Sequence, residues 1–214
     1  MVTTCTSPDK NCAICPRLAQ FRTKNKKLFP DKFNAPVPAF GSADPALLVV
    51  GLAPGLRGAN FTGRPFTGDY AGDLLYPTLI KFGFAKGRYD ERADDGVTLI
   101  NARITNAVRC VPPQNKPTPD EIKKCLPFLQ EEIRAFRKMR VIIALGTIAH
   151  QSVLRATGHK QSAFKFAHGA TYDLGKKITL IDSYHCSRYN VNTKRLTAEM
   201  FEDIFAKAKK IAVE

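Results

Sequence analysis

Apolar and polar positions fall into blocks along the chain, and the blocks keep two different periods. Leu47, Leu48, Val49 and Val50 form an unbroken apolar run that stops at Gly51. A run this short, rich in branched residues and closed by glycine, predicts a strand buried on both faces. Similar runs predict strands over 97–105, where Leu99, Ile100 and Ile104 supply core residues, and over 140–145 and 177–181. Helical spacing lies between them. Leu74, Leu75, Leu79 and Phe82 mark one side of a helix over 73–82. Thr118-Pro119-Asp120-Glu121 opens a second, with Thr as N-cap, Pro at the first helical position and Glu three residues after the cap; it should run to about residue 137. Thr147 and Thr197 are expected to cap two more, ending near 156 and 211. Alternating strands and helices predict one three-layer α/β/α domain over 1–214, with a central, mostly parallel four-stranded sheet.

The remaining stretches read as loops. Residues 34–44 carry Pro36 and Pro38, residues 112–117 are Pro-rich, and 158–175 are irregular and basic. No apolar run approaches ~18 residues, which argues against a membrane-spanning helix. The first residues lack the charged-then-apolar pattern of a secretory leader, so a cytoplasmic protein working at the nucleoid is expected. Charge narrows the partner. With 33 Lys and Arg against 19 Asp and Glu, the net charge is +14. Such a surplus favours a polyanion, most simply nucleic acid.

Six cysteines in a chain of this kind favour metal or cluster ligation over disulfides. Cys12 and Cys15 form a C-x2-C knuckle before Pro16, within an N-terminal arm of 1–33 that is basic from Arg22 to Lys32. Cys110 and Cys125 flank the Pro-rich loop and the capped helix. These four are the candidate ligands; buried apolar cysteines are the plain alternative. Four thiolates suit either a structural zinc or a 4Fe–4S cluster. The spacing lacks the two tight knuckles of a zinc ribbon, which leans towards the cluster. Cys5 and Cys186 are left over.

Two motifs now matter together. The first is Gly51-Leu52-Ala53-Pro54-Gly55 with Asn60-Phe61-Thr62-Gly63-Arg64-Pro65-Phe66-Thr67-Gly68-Asp69. The second is Ser183-Tyr184-His185, followed by Asn190-Val191-Asn192-Thr193. With the run from Ile104 to Thr118, they resemble the uracil-DNA glycosylase superfamily, and within it the fifth, iron–sulfur-containing family, also called type b. The resemblance covers roughly Cys12 to Thr197. It implies a mixed α/β fold and hydrolysis of the N-glycosidic bond of uracil in DNA. It further implies a range that includes hypoxanthine, xanthine and other deaminated bases, and a 4Fe–4S cluster on Cys12, Cys15, Cys110 and Cys125. The wider superfamily commonly carries Pro after the motif histidine, where this chain has Cys186.

The resemblance gives the motif residues roles that chemistry supports. A glycosylase must hold its base outside the stack, and Phe66 is placed to stack on it. Gly51, Ala53 and Gly55 let the backbone come close. Asn106 suits the uracil edge, since one amide both donates and accepts; Asn115 is a further pocket candidate, with a turn asparagine as the plain reading. Cleavage leaves an anionic base and a cationic sugar. His185 is the expected donor to the base oxygen, against a buried structural histidine. No acid follows Gly51 directly, so Asp69 is assigned to the attacking water, against a helix cap. Ser187, Arg188, Tyr189 and Asn190 should lie on the duplex, with Arg188 or Tyr189 entering the vacated stack. A monomer is expected.

A basic nucleic-acid-binding module with a structural four-cysteine centre and no catalysis is the competing reading. It gives no reason to bring Phe66, Asp69 and His185 to adjacent strand ends. A nucleotide-phosphate enzyme fails for want of Gly-Lys-Ser/Thr in the glycine loop.

Overall fold

Residues 7–213 are described by the computed structural model, so Cys5 lies outside the described residues. The chain opens with α1 (Pro16–Leu28), β1 (Phe40–Gly41), β2 (Leu47–Gly51), α2 (Ala59–Thr62) and α3 (Tyr70–Lys81). A small antiparallel pair, β3 (Ala85–Lys86) and β4 (Thr98–Leu99), precedes β5 (Ala102–Asn106). Then come α4 (Pro119–Ala135), β6 (Val141–Leu145), α5 (Thr147–Ala156), β7 (Thr171–Asp173), β8 (Thr179–Ser183), α6 (Arg188–Asn192) and α7 (Ala198–Ala212).

The main sheet has six strands in the order β1-β5-β2-β6-β8-β7. Its centre, β5-β2-β6-β8, is parallel, and β1 and β7 pair antiparallel at the edges. The predicted four-stranded sheet is therefore the parallel core of a larger one. Every residue of β2 and β6 is buried, as strands covered on both faces require. Val49 and Ile143 face α3 and α7, packing with Leu75, Leu79, Phe201 and Phe205. Leu48, Val50 and Ile142 face α4 and α5, with Leu129, Ile133, Val153 and Leu154. Three layers result. Full burial of each such side chain is worth about 1.5–3 kcal/mol.

Several local expectations change. The strand predicted over 97–105 is two strands, because Asn101 turns the chain at φ 51°, and Ile100 is exposed rather than core. The helix of 73–82 begins at Tyr70, where Asp69 caps it. Thr118 makes the full capping box with Glu121, and Thr197 caps α7 by accepting from the Met200 N–H. Thr147 is no cap: Gly146 holds that place and contributes no side-chain bond. The last parallel strand is shifted two residues on, to Thr179–Ser183. α1 occupies a stretch read only as basic; of its apolar residues Leu18 alone is buried. The loops 34–44 and 158–175 contain the edge strands β1 and β7.

Candidate active site

The four parallel strands end on one edge, where β2 delivers Gly51 and β5 delivers Asn106, paired in register. The chain leaves β2 for β5 on one side and returns to β6 on the other, so a crevice opens outside the carboxyl end of β2. A cavity of about 280 Å³ sits there. Ala53 and Gly55 from the glycine loop, Phe66, Asp69, Asn106, Asn115 and His185 all line it, with Ser187 and Arg188 at the same wall. Gly51 lies beneath the cavity. A Cβ there would stand 2.5 Å from both the Asn106 amide and the Phe66 ring, so only glycine lets these two side chains approach each other over the strand end.

Phe66 is 6% exposed and holds φ 55°, a left-handed conformation that a bulky residue adopts only under constraint. The turn aims its ring into the cavity, 6.0 Å from the His185 ring and 28° from parallel to it. Asp69 follows as the N-cap of α3, accepting from the Ala71 N–H at 3.2 Å. It therefore caps the helix and lines the cavity at once. Burial raises its pKa, and the capping amides of Gly72 and Ala71 oppose that rise. A Cβ on Gly55 would come within 3.1 Å of its carboxylate, so the glycine loop folds directly against the acid.

Asn106 is 3% exposed, and no hydrogen bond to its side-chain amide occurs among the described residues, which leaves the amide available to a ligand. Asn115 ends a short 3-10 turn at φ 56° and reaches the cavity from the Pro-rich loop. His185 follows β8, and burial pulls its imidazole down to about 4. It is neutral at pH 7, with an N–H to donate. The Asn190 amide donates to the His185 carbonyl at 2.8 Å, so Asn190 secures the loop from outside the cavity. Cys186, where the superfamily commonly has proline, is fully buried in the main core and packs as a small apolar group. Tyr189 also lies off the cavity wall and is 72% exposed at the start of α6. Arg188 rests over the Tyr70 ring at 5.3 Å. Tyr70 lines the cavity and escaped the sequence reading, although its place beside Asp69 was a signal for it.

Cys12, Cys15, Cys110 and Cys125 face one small cavity between α1, α4 and the segment after β5. Leu18, Val108 and Ile122 pack around Cys110 and Cys125. Burial pushes Cys15 up to about 11 and Cys110 up to about 12, and nearby cysteines add to both shifts. The Arg22 guanidinium donates to the Cys110 sulfur at 3.3 Å, and the Arg109 N–H to the Cys125 sulfur at 3.4 Å. These donors suit thiolates. Among the described residues no group of three or more His, Cys, Asp or Glu is spaced to hold a metal ion. All four cysteines line this one cavity, and two of their sulfurs accept N–H donors.

Residues 38–209 match the family model described as the uracil DNA glycosylase superfamily. The chain is 42% identical over 206 residues to a type-5 uracil-DNA glycosylase of Thermus thermophilus, covering 94% of each chain. It is 43% identical over 209 residues to one from Mycobacterium bovis, covering 94% of this chain and 78% of the relative. A type-5 enzyme of Pyrobaculum aerophilum is 40% identical over 202 residues, 92% of this chain and 88% of its own length. No helix among the described residues is long and apolar enough to cross a membrane. On the match over 38–209 and these relatives, the chain belongs to the uracil DNA glycosylase superfamily.

Proposed function

We propose that this protein excises uracil from DNA as a monofunctional glycosylase in base-excision repair. The observation that carries this reading is the meeting of Phe66, Asp69, Asn106 and His185, from three separate segments, around one cavity. The target nucleotide swings out of the duplex and its base enters the cavity. Phe66 stacks on the ring, and the Asn106 amide donates to O4 while accepting from N3–H. As the C1′–N1 bond breaks, its electron pair goes to the base, and the neutral His185 N–H donates to the oxygen that gathers this charge. A donor aimed at developing charge is worth about 10²–10³ in rate. Asp69 holds a water against C1′ and takes a proton from it as the water oxygen bonds to C1′. The uracil anion takes up a proton from solvent, leaving free uracil and an abasic site. No lysine lines the cavity among the described residues, so no amine is at hand to form an imine with the sugar. The small Ala53, Gly55 and Ala59 leave the wall open, which supports hypoxanthine and xanthine as further substrates.

Tyr189, exposed beside the cavity, enters the stack where the nucleotide left, and the cationic surface grips phosphates. The site is complete within one chain, in keeping with a monomer acting on cellular DNA. Cys12, Cys15, Cys110 and Cys125 would hold a 4Fe–4S cluster, which when bound supplies a structural tie and a one-electron redox couple.

The test is base release from duplexes carrying uracil, hypoxanthine or xanthine, read as alkaline strand cleavage, beside a visible absorbance scan and iron analysis. Uracil release by a brown, iron-containing protein is expected. An inactive, colourless protein that still binds duplex would leave the non-catalytic binding module in its place.

A further inference from the structure

The cavity explains where Phe66 and Asp69 act, but not what keeps the turn between them in its left-handed form. Gly63, Phe66 and Gly68 all hold positive φ within six residues. Glycine does so freely and phenylalanine does not, so the turn depends on bonds from outside it. They converge from one direction. Arg64 is 4% exposed. Its Nε donates to the Thr67 hydroxyl at 2.7 Å, and its two terminal nitrogens donate to both oxygens of Asp95, each at 2.7 Å. The Tyr76 hydroxyl donates to the Pro65 carbonyl at 2.7 Å. The Tyr89 hydroxyl donates to the Phe66 carbonyl and accepts the Gly68 N–H, both at 3.3 Å. Every residue from Pro65 to Gly68 is thus tied.

Asp95 and Tyr89 belong to the excursion that carries β3 and β4. Neither lines the cavity. Asp95 also accepts the N–H groups of Asp90 and Val97, so its carboxylate organises the excursion on one side and Arg64 on the other. The guanidinium lies 4.9 Å from the Tyr76 ring and 5.8 Å from the Tyr89 ring, and those rings stack at 4.6 Å. A fork clamped on a carboxylate and laid against stacked aromatic rings has one geometry.

We propose that Arg64, Asp95 and Tyr89 form a strut by which the β3–β4 excursion fixes the strained Phe66 turn, making all three positioning residues for base stacking and for the Asp69 carboxylate. This rests on the glycosylase reading for its kinetic consequences, though not for the strut itself.

Asp95→Asn keeps the shape and removes the charge; Tyr89→Phe keeps the ring and removes both bonds to the turn, and serves if the first variant folds poorly. Single-turnover uracil release should fall at least about tenfold in Asp95→Asn and about threefold in Tyr89→Phe. Affinity for the uracil duplex should stay within about threefold of wild type. The acid limb of the rate should move to lower pH in Asp95→Asn as a loosened turn lets water reach Asp69. Arg64→Lys, which cannot form the fork, should resemble Asp95→Asn rather than restore the rate. Amide exchange should quicken over residues 63–72 and not in β2 or β6. Rates within twofold of wild type in both variants, or a loss confined to DNA affinity, would overturn the strut. If the wild-type protein releases no uracil, the glycosylase reading falls, and exchange alone decides the strut: unchanged protection over 63–72 in both variants sinks it.

Discussion

Asp69 accepts the Ala71 N–H as the cap of α3 and faces the cavity with the same carboxylate. The two positions make a separable prediction. Its pKa is raised by burial, so the folded chain holds that proton more tightly than an unfolded one. The contribution to stability is present below the unfolded value and lost as pH rises through the folded one; at pH 7 the ionised acid costs stability. Asparagine caps as well as aspartate. Asp69→Asn should therefore keep or raise the melting temperature while single-turnover uracil release falls by about 10²–10⁴. A variant that keeps its rate would remove Asp69 from the reaction. The same shifts shape the pH profile. His185, held to about 4, is neutral throughout the physiological range, so no limb should appear near the ordinary histidine value of about 6.5. The rate should fall on the acid side only, as Asp69 takes up its proton. A limb centred near neutrality would contradict the neutral donor.

At the scale of elements, the first turn of α4 both caps its own helix and holds α1. Glu121 accepts the Thr118 N–H at 2.8 Å and both the Nε and Nη2 of Arg17, at 2.8 and 2.7 Å. One side chain closes the capping box and fastens α1. Thr118→Ala should cost about 1 kcal/mol, and Glu121→Ala more, since it removes the Arg17 bonds as well; denaturant midpoints measure both. Equal costs would show that the exposed Arg17 contributes nothing, as many surface pairs do. That box was legible in Thr118-Pro119-Asp120-Glu121, because a cap is written in adjacent residues. So were the buried parallel strands, whose apolar runs have no other use. α1 was not, since a helix that buries Leu18 beside the polar Arg22 and Asn25 has no apolar stripe. Two- and three-residue edge strands such as β1 and β7 are too short for a period to register. Within the site, Phe66 and His185 stood in motifs and Tyr70 stood next to one, whereas the tie from Asp95 to Arg64 came from tertiary folding alone.

For the whole molecule, the net charge of +14 sets how it meets DNA. Binding to undamaged duplex should weaken at least about 100-fold between about 50 and 200 mM salt, while the single-turnover rate at saturation stays nearly constant. A shallow dependence would mean that the cations are spread without a DNA face. The N-terminal arm adds one last consequence. α1 is held by Leu18, by Arg17 on Glu121, and by Arg22 on the Cys110 sulfur and the Cys12 carbonyl. So slight an apolar anchor leaves most of its docking to polar ties, with buried Arg22 at their centre. Arg22→Ala should therefore loosen the arm, and limited proteolysis should cut near α1 while the parallel strands stay protected.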